Sequence, residues 1–407
     1  MGNSEPTTTE AGVYRKKLAA ARQSYAPATV QTPSDGAVAE PVRMLGDGIE
    51  LRQPVLGTRE VQWLWTIREP IAWTADGAAA PAVPGAPKER VLLVGHGPLA
   101  DHILSELQKP NPRYHLVGQL VPVDPGDGLP AEPSRGERRE RLEEIISRDA
   151  VDRVVIAMSE RRGDLPIDQL LACRMRRIAV DEGTAFCERL SARIPLIGLK
   201  PGYLVFGDGF HWPSGAAKRT LDILLAGIGL LVAAPIFVLL PILITATSRG
   251  PVFYRQARVG LHGRRFMILK FRSMYEGAER AGAAVWAEER DPRITPIGRF
   301  MRKFRLDEFP QMLNVLRGEM SFVGPRPERP EFISTLAREI PYYTLRLAVK
   351  PGITGWAQIK YRYGASVQDA AEKLQYDLYY IKHMSLKLDA LIAARTIRTV
   401  LFQSGAR

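Results

Sequence analysis

Cysteine is nearly absent: Cys173 and Cys187 are the only two in 407 residues. Two thiols cannot build a disulfide framework, and these lack a zinc-ligand spacing, so they read as reduced, buried thiols of a cytoplasmic protein. Acidic residues are in deficit as well. Against 56 Lys and Arg stand 44 Asp and Glu, a formal charge of +12. Such an excess calls for an anionic partner: nucleic acid, an anionic membrane or a phosphorylated small molecule. No helix-turn-helix, RNA-recognition or zinc-finger pattern is present, so no nucleic-acid partner is expected. No Tyr-x-x-x-Lys pair occurs, which argues against a nucleotide-sugar epimerase or dehydratase. The start, MGNSEPTTTE, lacks a basic-then-apolar signal, and Pro6 stands where a myristoylation motif places Ser or Thr. Nothing in it directs the chain away from the cytoplasm.

Residues 1 to 88, rich in Ala, Pro, Thr and Gly, show no sustained period and read as a largely disordered arm. The exception is a local cluster at Val61 to Trp73, with Trp63, Trp65 and Trp73. Order is expected from Glu89. RVLLVGHGPLADHILSELQ has the pattern of a buried strand, a glycine turn and an amphipathic helix, with a second strand at Tyr114 to Val123. Further elements follow: a charged helix near Glu137 to Arg148, a strand at Arg153 to Met158, a helix from Ile167 to Arg177 and a strand at Ile178 to Val180. The fold class predicted for 89–200 is therefore α/β, a doubly wound, Rossmann-like domain. Gly95, Gly97 and Ala100 fit G-x-G-x-x-G/A, and Asp124 stands where a ribose-binding acid would, which makes Gly95, Gly97 and Asp124 candidate nucleotide contacts. Plain strand-to-helix packing uses the same glycines, and a scaffold or regulatory role is favoured over a working cofactor site. Residues 201–216, with several glycines and Pro213, read as a linker.

Long uncharged runs are missing with one exception. From Ile223 to Ser248 no residue is charged, and these 26 residues would reach about 39 Å as a helix, enough to cross a bilayer. Pro235 interrupts the run, and the part before it covers only about 18 Å. Lys218 and Arg219 precede it; Arg249, Arg255, Arg258, Arg264 and Arg265 follow. Positive flanks on both sides put both ends on the cytoplasmic face. A re-entrant membrane hairpin over 220–248, bent at Ala234 and Pro235, satisfies this; a straight span is the alternative. Between Arg249 and Arg305 fourteen Lys or Arg face five Asp or Glu, a surplus suited to anionic headgroups.

The remaining chemistry lies in Arg299 to Pro327, RFMRKFRLDEFPQMLNVLRGEMSFVGPRP. Asp307 and Glu308 sit among Arg299, Arg302, Lys303, Arg305 and Arg317, an acid pair inside a cationic cage suited to phosphate chemistry. An exposed acid pair answering nearby arginines is the competing reading. Pro310 is tolerated in a first helical turn, so a helix is expected from an Asp307 N-cap to Arg317, stopped by Gly318. Adjacent helical residues point about 100° apart, so the two acids take different roles, one attacking and the other holding a metal or positioning substrate. The tail is expected to form a helix near Ala370 to His383 and a final amphipathic helix from Leu386 to Phe402.

From Ala217 onward the sequence resembles the polyprenyl-phosphate sugar-1-phosphate transferases, through KRTLDILL, GPVFYRQARVG, LKFRSM, DPRITPIGRFMRK, LDEFPQMLNVLRGEMSFVGPRP and KPGITGWAQ. The preceding Rossmann-like part and SERRGDLPIDQLL are similar to the larger, exopolysaccharide- and exosortase-associated members. The resemblance implies a membrane-anchored, mainly helical catalytic domain over 217–407 with a re-entrant helix, at the cytoplasmic face of a bacterial inner membrane. It implies a UDP-sugar donor, undecaprenyl phosphate as acceptor, membrane lipids as partners and Mg²⁺ as cofactor; a homodimer is left open by the sequence. It makes Asp307 the nucleophile and Glu308 its partner, both metal ligands, with Lys270, Arg302 and Arg326 binding phosphate. Many relatives carry Ser before the hairpin proline, where this chain has Ala234.

Overall fold

The computed structural model describes residues 65–68, 88–109, 113–122, 137–140, 142–158, 167–278, 291–361, 364 and 366–402. Residues 1–64 and 69–87 of the N-terminal arm lie outside the described residues, as does Asp124. The chain divides into two compact units, Met1–Gly183 and Thr184–Arg407.

The first unit is a mixed α/β layer. Its strands are β1 (Trp65–Arg68), β2 (Glu89–Val94), β3 (Tyr114–Pro122), β4 (Glu137–Glu140), β5 (Arg153–Ile156) and β6 (Ala179–Glu182), in the order β4-β1-β3-β2-β5-β6. Helices α1 (Pro98–Gln108), α2 (Leu142–Arg148) and α3 (Ile167–Met175) alternate with them. β2 pairs in parallel with β3 and β5, and β5 with β6; β1 pairs antiparallel with β3 and β4. Uninterrupted apolar runs such as VLLV in β2 are what a strand covered on both faces requires. Leu92, Val94, Leu120, Ile145, Val154 and Ile156 form the core. Two expectations change here. Glu137–Glu140 is a strand rather than the start of a charged helix, and Trp65–Arg68, inside the arm read as mostly irregular, joins the sheet.

The second unit is mostly helical. It opens with α4, counted here from Thr184 of the helix Gly183–Ser191, and α5 (Pro201–Phe206). Then come α6 (Gly215–Val232) and α7 (Ala234–Thr247), the antiparallel strands β7 (Phe253–Val259) and β8 (Arg265–Phe271), α8 (Pro296–Lys303) and α9 (Gln311–Arg317). β9 (Ser321–Val323) pairs in parallel with β10 (Gly352–Thr354), and α10 (Pro330–Glu339) lies between them in the chain. α11 (Trp356–Lys360), α12 (Val367–Lys382) and α13 (Leu386–Phe402) close the unit. Two apolar clusters join the uncharged helices to the rest: Ala226 of α6 packs with Ile268, Met312 and Val315, and Leu240 and Ile244 of α7 pack with Phe271 and Met301.

The unit boundary falls earlier than composition suggests, and 201–216 is no linker. Ile194 N–H donates to Gln375 O at 3.1 Å, Trp356 Nε1 to Ala192 O at 2.9 Å and Trp212 Nε1 to Ile381 O at 2.8 Å. The glycines that suggested a flexible segment serve a tight turn instead: Gly209 has φ +136, and a Cβ there would lie 2.5 Å from Lys382 Cγ.

No single helix among the described residues is long and apolar enough to cross a membrane, but α6 and α7 pass that test together and meet at a 58° bend. The break has a backbone cause. Ala233 N–H still bonds Gly229 O, whereas Pro235, in the first turn of α7, brings no N–H and restarts the helix in a new direction. Ile223, Leu224, Ile228, Leu231, Val238, Leu239 and Ile242 stay exposed along the pair.

Candidate active site

Three chain segments converge on Glu308. β8 brings Lys270, whose Nζ lies 3.2 Å from Oε1. The turn after β9 brings Arg326, whose Nη1 donates to Oε2 at 3.3 Å and whose Nη2 pairs with Oε1. Arg305 Nη1 stands 3.8 Å from Oε2. Both oxygens of Glu308 are thus answered by cations. Asp307 differs: it is buried, and among the described residues no side chain or backbone N–H donates to its carboxylate.

Local backbone rules place the acid pair. α8 starts at an N-cap, Thr295, whose side chain accepts from Gly298 N–H at 2.9 Å, with Pro296 following. Gly298 lets the helix lie against β8's continuation, since a Cβ there would come 1.9 Å from Ser273 O. After Lys303 the chain reverses through Arg305, at φ 54, into a short 3₁₀ turn, Leu306–Glu308. Asp307 is therefore not a helix N-cap, as the sequence suggested. Pro310 takes that place, and α9 runs from Gln311 to the left-handed Gly318, at φ 83, which stops it as expected. Arg302, from the same stretch, donates through Nε to Ser273 Oγ at 2.9 Å and touches neither acid.

Burial is the largest influence on both carboxyls and pushes both up. Around Glu308 the Arg326 and Lys270 cations, with Arg305, outweigh burial and hold the group well below the usual carboxylate range. Asp307 is raised by burial and then by the Glu308 charge, with Lys270, Arg302 and Arg326 offsetting only part. Glu308 keeps a firmly held charge while Asp307 is the more basic partner. Burial also lowers Lys270, against the pull of Glu308.

A second ring of polar groups fixes these side chains, and sequence reading missed most of it. Arg346, fully packed, donates to Arg326 O at 2.9 Å, to Asp377 Oδ2 at 3.0 Å and to Tyr343 OH at 2.6 Å, which sets the Arg326 backbone. Burial lifts Asp377 to about 6 even with Arg346 against it. Arg258 donates to Pro327 O at 3.0 Å on the other side of the same turn. Asn314 of α9 binds the backbone of β8 as a neighbouring strand would: Oδ1 accepts from Leu269 N–H at 3.0 Å and Nδ2 donates to Met267 O at 2.8 Å. Asp222, the one acid at the head of the apolar run, accepts from Ser321 Oγ at 2.8 Å, Phe322 N–H at 3.0 Å and Lys218 Nζ at 3.2 Å. Arg272 caps the far end of the pair, donating to Arg249 O at 2.6 Å and Ser248 O at 2.8 Å. A lone acid beside an uncharged segment was the available signal for Asp222; Asn314 gave none.

The family described as bacterial sugar transferase matches residues 213–403. A putative undecaprenyl-phosphate N-acetylgalactosaminyl 1-phosphate transferase of Bacillus subtilis is 51% identical over 132 residues, 32% of this chain and 73% of that protein. The chain belongs to the bacterial sugar transferase family. Two longer relatives agree with that membership. The UDP-N-acetylgalactosamine-undecaprenyl-phosphate N-acetylgalactosaminephosphotransferase of Aeromonas hydrophila is 43% identical over 239 residues, 58% of this chain and 56% of that protein. The UDP-glucose:undecaprenyl-phosphate glucose-1-phosphate transferase of Xanthomonas campestris pv. campestris is 40% identical over 215 residues, 52% of this chain and 44% of that protein. The chain spans about half the length of these two relatives. The whole acid–cation cluster of this sugar transferase lies inside the matched segment.

Among the described residues no three His, Cys, Asp or Glu side chains converge as a metal cage. Mg²⁺ needs less, because one or two carboxylates complete its sphere together with substrate phosphates and water. The Asp307 carboxylate, with no donor among the described residues, fits that demand; Glu308 has both oxygens occupied by cations.

In the first unit, Gly95 and Gly97 do adopt positive φ, 118 and 98, at the turn between β2 and α1. A Cβ on Gly95 would stand 2.6 Å from Ala157 O, and Gln119 Nε2 donates to Gly95 O at 2.8 Å. Gly95 is thus required by packing within the sheet.

Proposed function

We propose that this chain transfers a sugar 1-phosphate from a UDP-sugar to undecaprenyl phosphate, an opening step of exopolysaccharide synthesis at the cytoplasmic face of a bacterial inner membrane. The observation that carries the reading is the asymmetry of the acid pair: Glu308 is answered by Lys270, Arg326 and Arg305, while the equally buried Asp307 has no donor among the described residues. A carboxylate stripped of donors and raised in basicity is the better nucleophile; one neutralised by three cations is the better fixed charge.

In this scheme an Asp307 oxygen attacks the β-phosphorus of the UDP-sugar. The bond between that phosphorus and the bridging oxygen to the α-phosphate breaks, and UMP leaves with the bond's electrons. The sugar phosphate remains on the carboxylate. A phosphate oxygen of undecaprenyl phosphate then attacks the same phosphorus, the acyl–phosphate bond breaks, and Asp307 returns as a carboxylate. No net proton transfer is needed, and a ping-pong pattern follows. Lys270 and Arg326 lie where they can meet phosphate oxygens once substrate draws them from Glu308, and Arg302 borders the same space. Mg²⁺, held by Asp307 and the diphosphate, would supply further charge neutralisation. The α6–α7 pair acts as the re-entrant anchor, bringing the site to the headgroup level where a lipid phosphate resides; the bend at Ala233 to Pro235 and the cationic flanks support this.

The test is UMP release by detergent-purified protein with undecaprenyl phosphate and Mg²⁺, across a panel that begins with UDP-N-acetylgalactosamine and UDP-glucose. Sustained release that needs the lipid supports the proposal and identifies the sugar. Release of UDP, or none of UMP from any UDP-sugar, would overturn it.

A further inference from the structure

Just ahead of α6, outside the segment that matches the family, the protein displays a second apolar surface. Phe206 is 88% exposed and Val205 70%, with Phe210 and Trp212 also open to solvent. Four such side chains within eight residues are unusual for a surface turn, and this turn is built rather than loose. Tyr203 of α5 is buried, and its hydroxyl meets Glu188 and Lys382 Nζ, the latter at 2.8 Å. Lys382 also pairs with Glu188 at 2.8 Å, and His383 meets the same carboxylate. Phe210 N–H donates to Lys382 O at 2.7 Å, and Trp212 Nε1 to Ile381 O. A buried ion pair and two backbone anchors thus clamp the segment to the end of α12 while its aromatic residues face outward.

We propose that Val205, Phe206, Phe210 and Trp212 form an interfacial membrane contact, lying in the headgroup layer of the same bilayer that receives α6 and α7. This rests on the membrane reading of the bent pair. The occupant follows from continuity and composition. Trp212 stands three residues before α6, and the exposed apolar face of α6 begins at Ile223, about 12 Å further along the helix. Residues just outside the entry point of a membrane helix lie at headgroup depth, where aromatic rings with one polar edge are favoured. Trp212 has that form, with its N–H already satisfied by the protein. The surface also gives the hairpin a support it lacks alone. A pair that enters and leaves on one side fixes depth but leaves tilt free; a second contact, rigidly joined to α12, sets the angle at which the catalytic unit meets the lipid.

Cys173 and Cys187 are buried, so a new surface thiol can be labelled selectively. Full-length protein with Phe206→Cys or Val205→Cys carries an environment-sensitive fluorophore and is bound to vesicles of phosphatidylethanolamine, phosphatidylglycerol and cardiolipin. Leu231→Cys on α6 and Asp101→Cys on the first unit serve as references. Quenching of the 205 and 206 labels by lipid spin-labelled near the headgroup, at least twofold above Asp101→Cys, is expected; the 231 label should respond best to a deeper spin label. If 231 is quenched while 205 and 206 match 101, the proposal fails and the hairpin reading stands. If 231 is not quenched either, both fail. Fluorescence that shifts with protein concentration and not with lipid would assign the surface to a second copy and overturn the proposal. Val205→Ser with Phe206→Ser should raise the apparent KM for vesicle-borne acceptor about tenfold and leave that for the UDP-sugar unchanged.

Discussion

Two turns in this molecule carry the residues usually associated with phosphate, and the protein uses them in opposite ways. Between β2 and α1, glycines stand at positive φ and Gly95 packs against its own sheet: Gln119 holds its carbonyl and Ala157 fills the space beside it. Between α8 and α9, the turn leaves an acid without a donor among the described residues and gathers three cations around its neighbour. The first turn is satisfied by its own fold. The second keeps charge in reserve, and unspent charge in a buried place is costly unless a substrate completes it.

That contrast can be broken by substitution. The largest effect is expected from Asp307→Asn: UMP release should fall at least about a thousandfold, while thermal stability stays at or above the starting value because no donor loses its partner. Lys270→Met should lower kcat/KM about a hundredfold or more. Because the Lys270 cation lowers the Asp307 pKa, its loss should also move the acid limb of the pH–rate profile to higher pH; protonated Asp307 cannot attack. Gly95→Ala should act in the opposite sense, destabilising the first unit by about 2–4 kcal/mol in a denaturant melt with kcat unchanged. Asn314→Ala should cost about 2 kcal/mol, since the buried Leu269 N–H and the Met267 carbonyl of β8 lose their partner. It should also lower kcat modestly, as Lys270 sits one residue beyond the released Leu269.

What the sequence revealed follows the same division. Asp307 and Glu308 were legible as an acid pair among arginines, whereas Lys270, Arg302 and Arg326 as phosphate ligands came only with the family resemblance; the structure brings Lys270 and Arg326 onto Glu308 and Arg302 onto Ser273. The break near Pro235 was legible from one residue's missing N–H. The start of α9 was not, because Pro310 suits either the first turn or the cap and only the left-handed Arg305 decides. Asp222, Asn314 and Arg346 were hidden since their partners are distant in sequence; Asp222 meets Phe322 across 100 positions and Asn314 meets Leu269 across 45. Residues 201–216 misled because glycine and proline signal a loop, whereas Trp212 and Phe210 fasten it to α12. Asp124, a candidate ribose contact, lies outside the described residues.

The most direct measurement is the mass of the intact protein after incubation with UDP-sugar and Mg²⁺ in the absence of the lipid acceptor. A gain equal to one sugar phosphate, mapped by peptide digestion to Asp307 and discharged on adding undecaprenyl phosphate, is the result expected. An unmodified chain that still turns over when the lipid is supplied, or an adduct on Glu308, would contradict the assignment of the two acids.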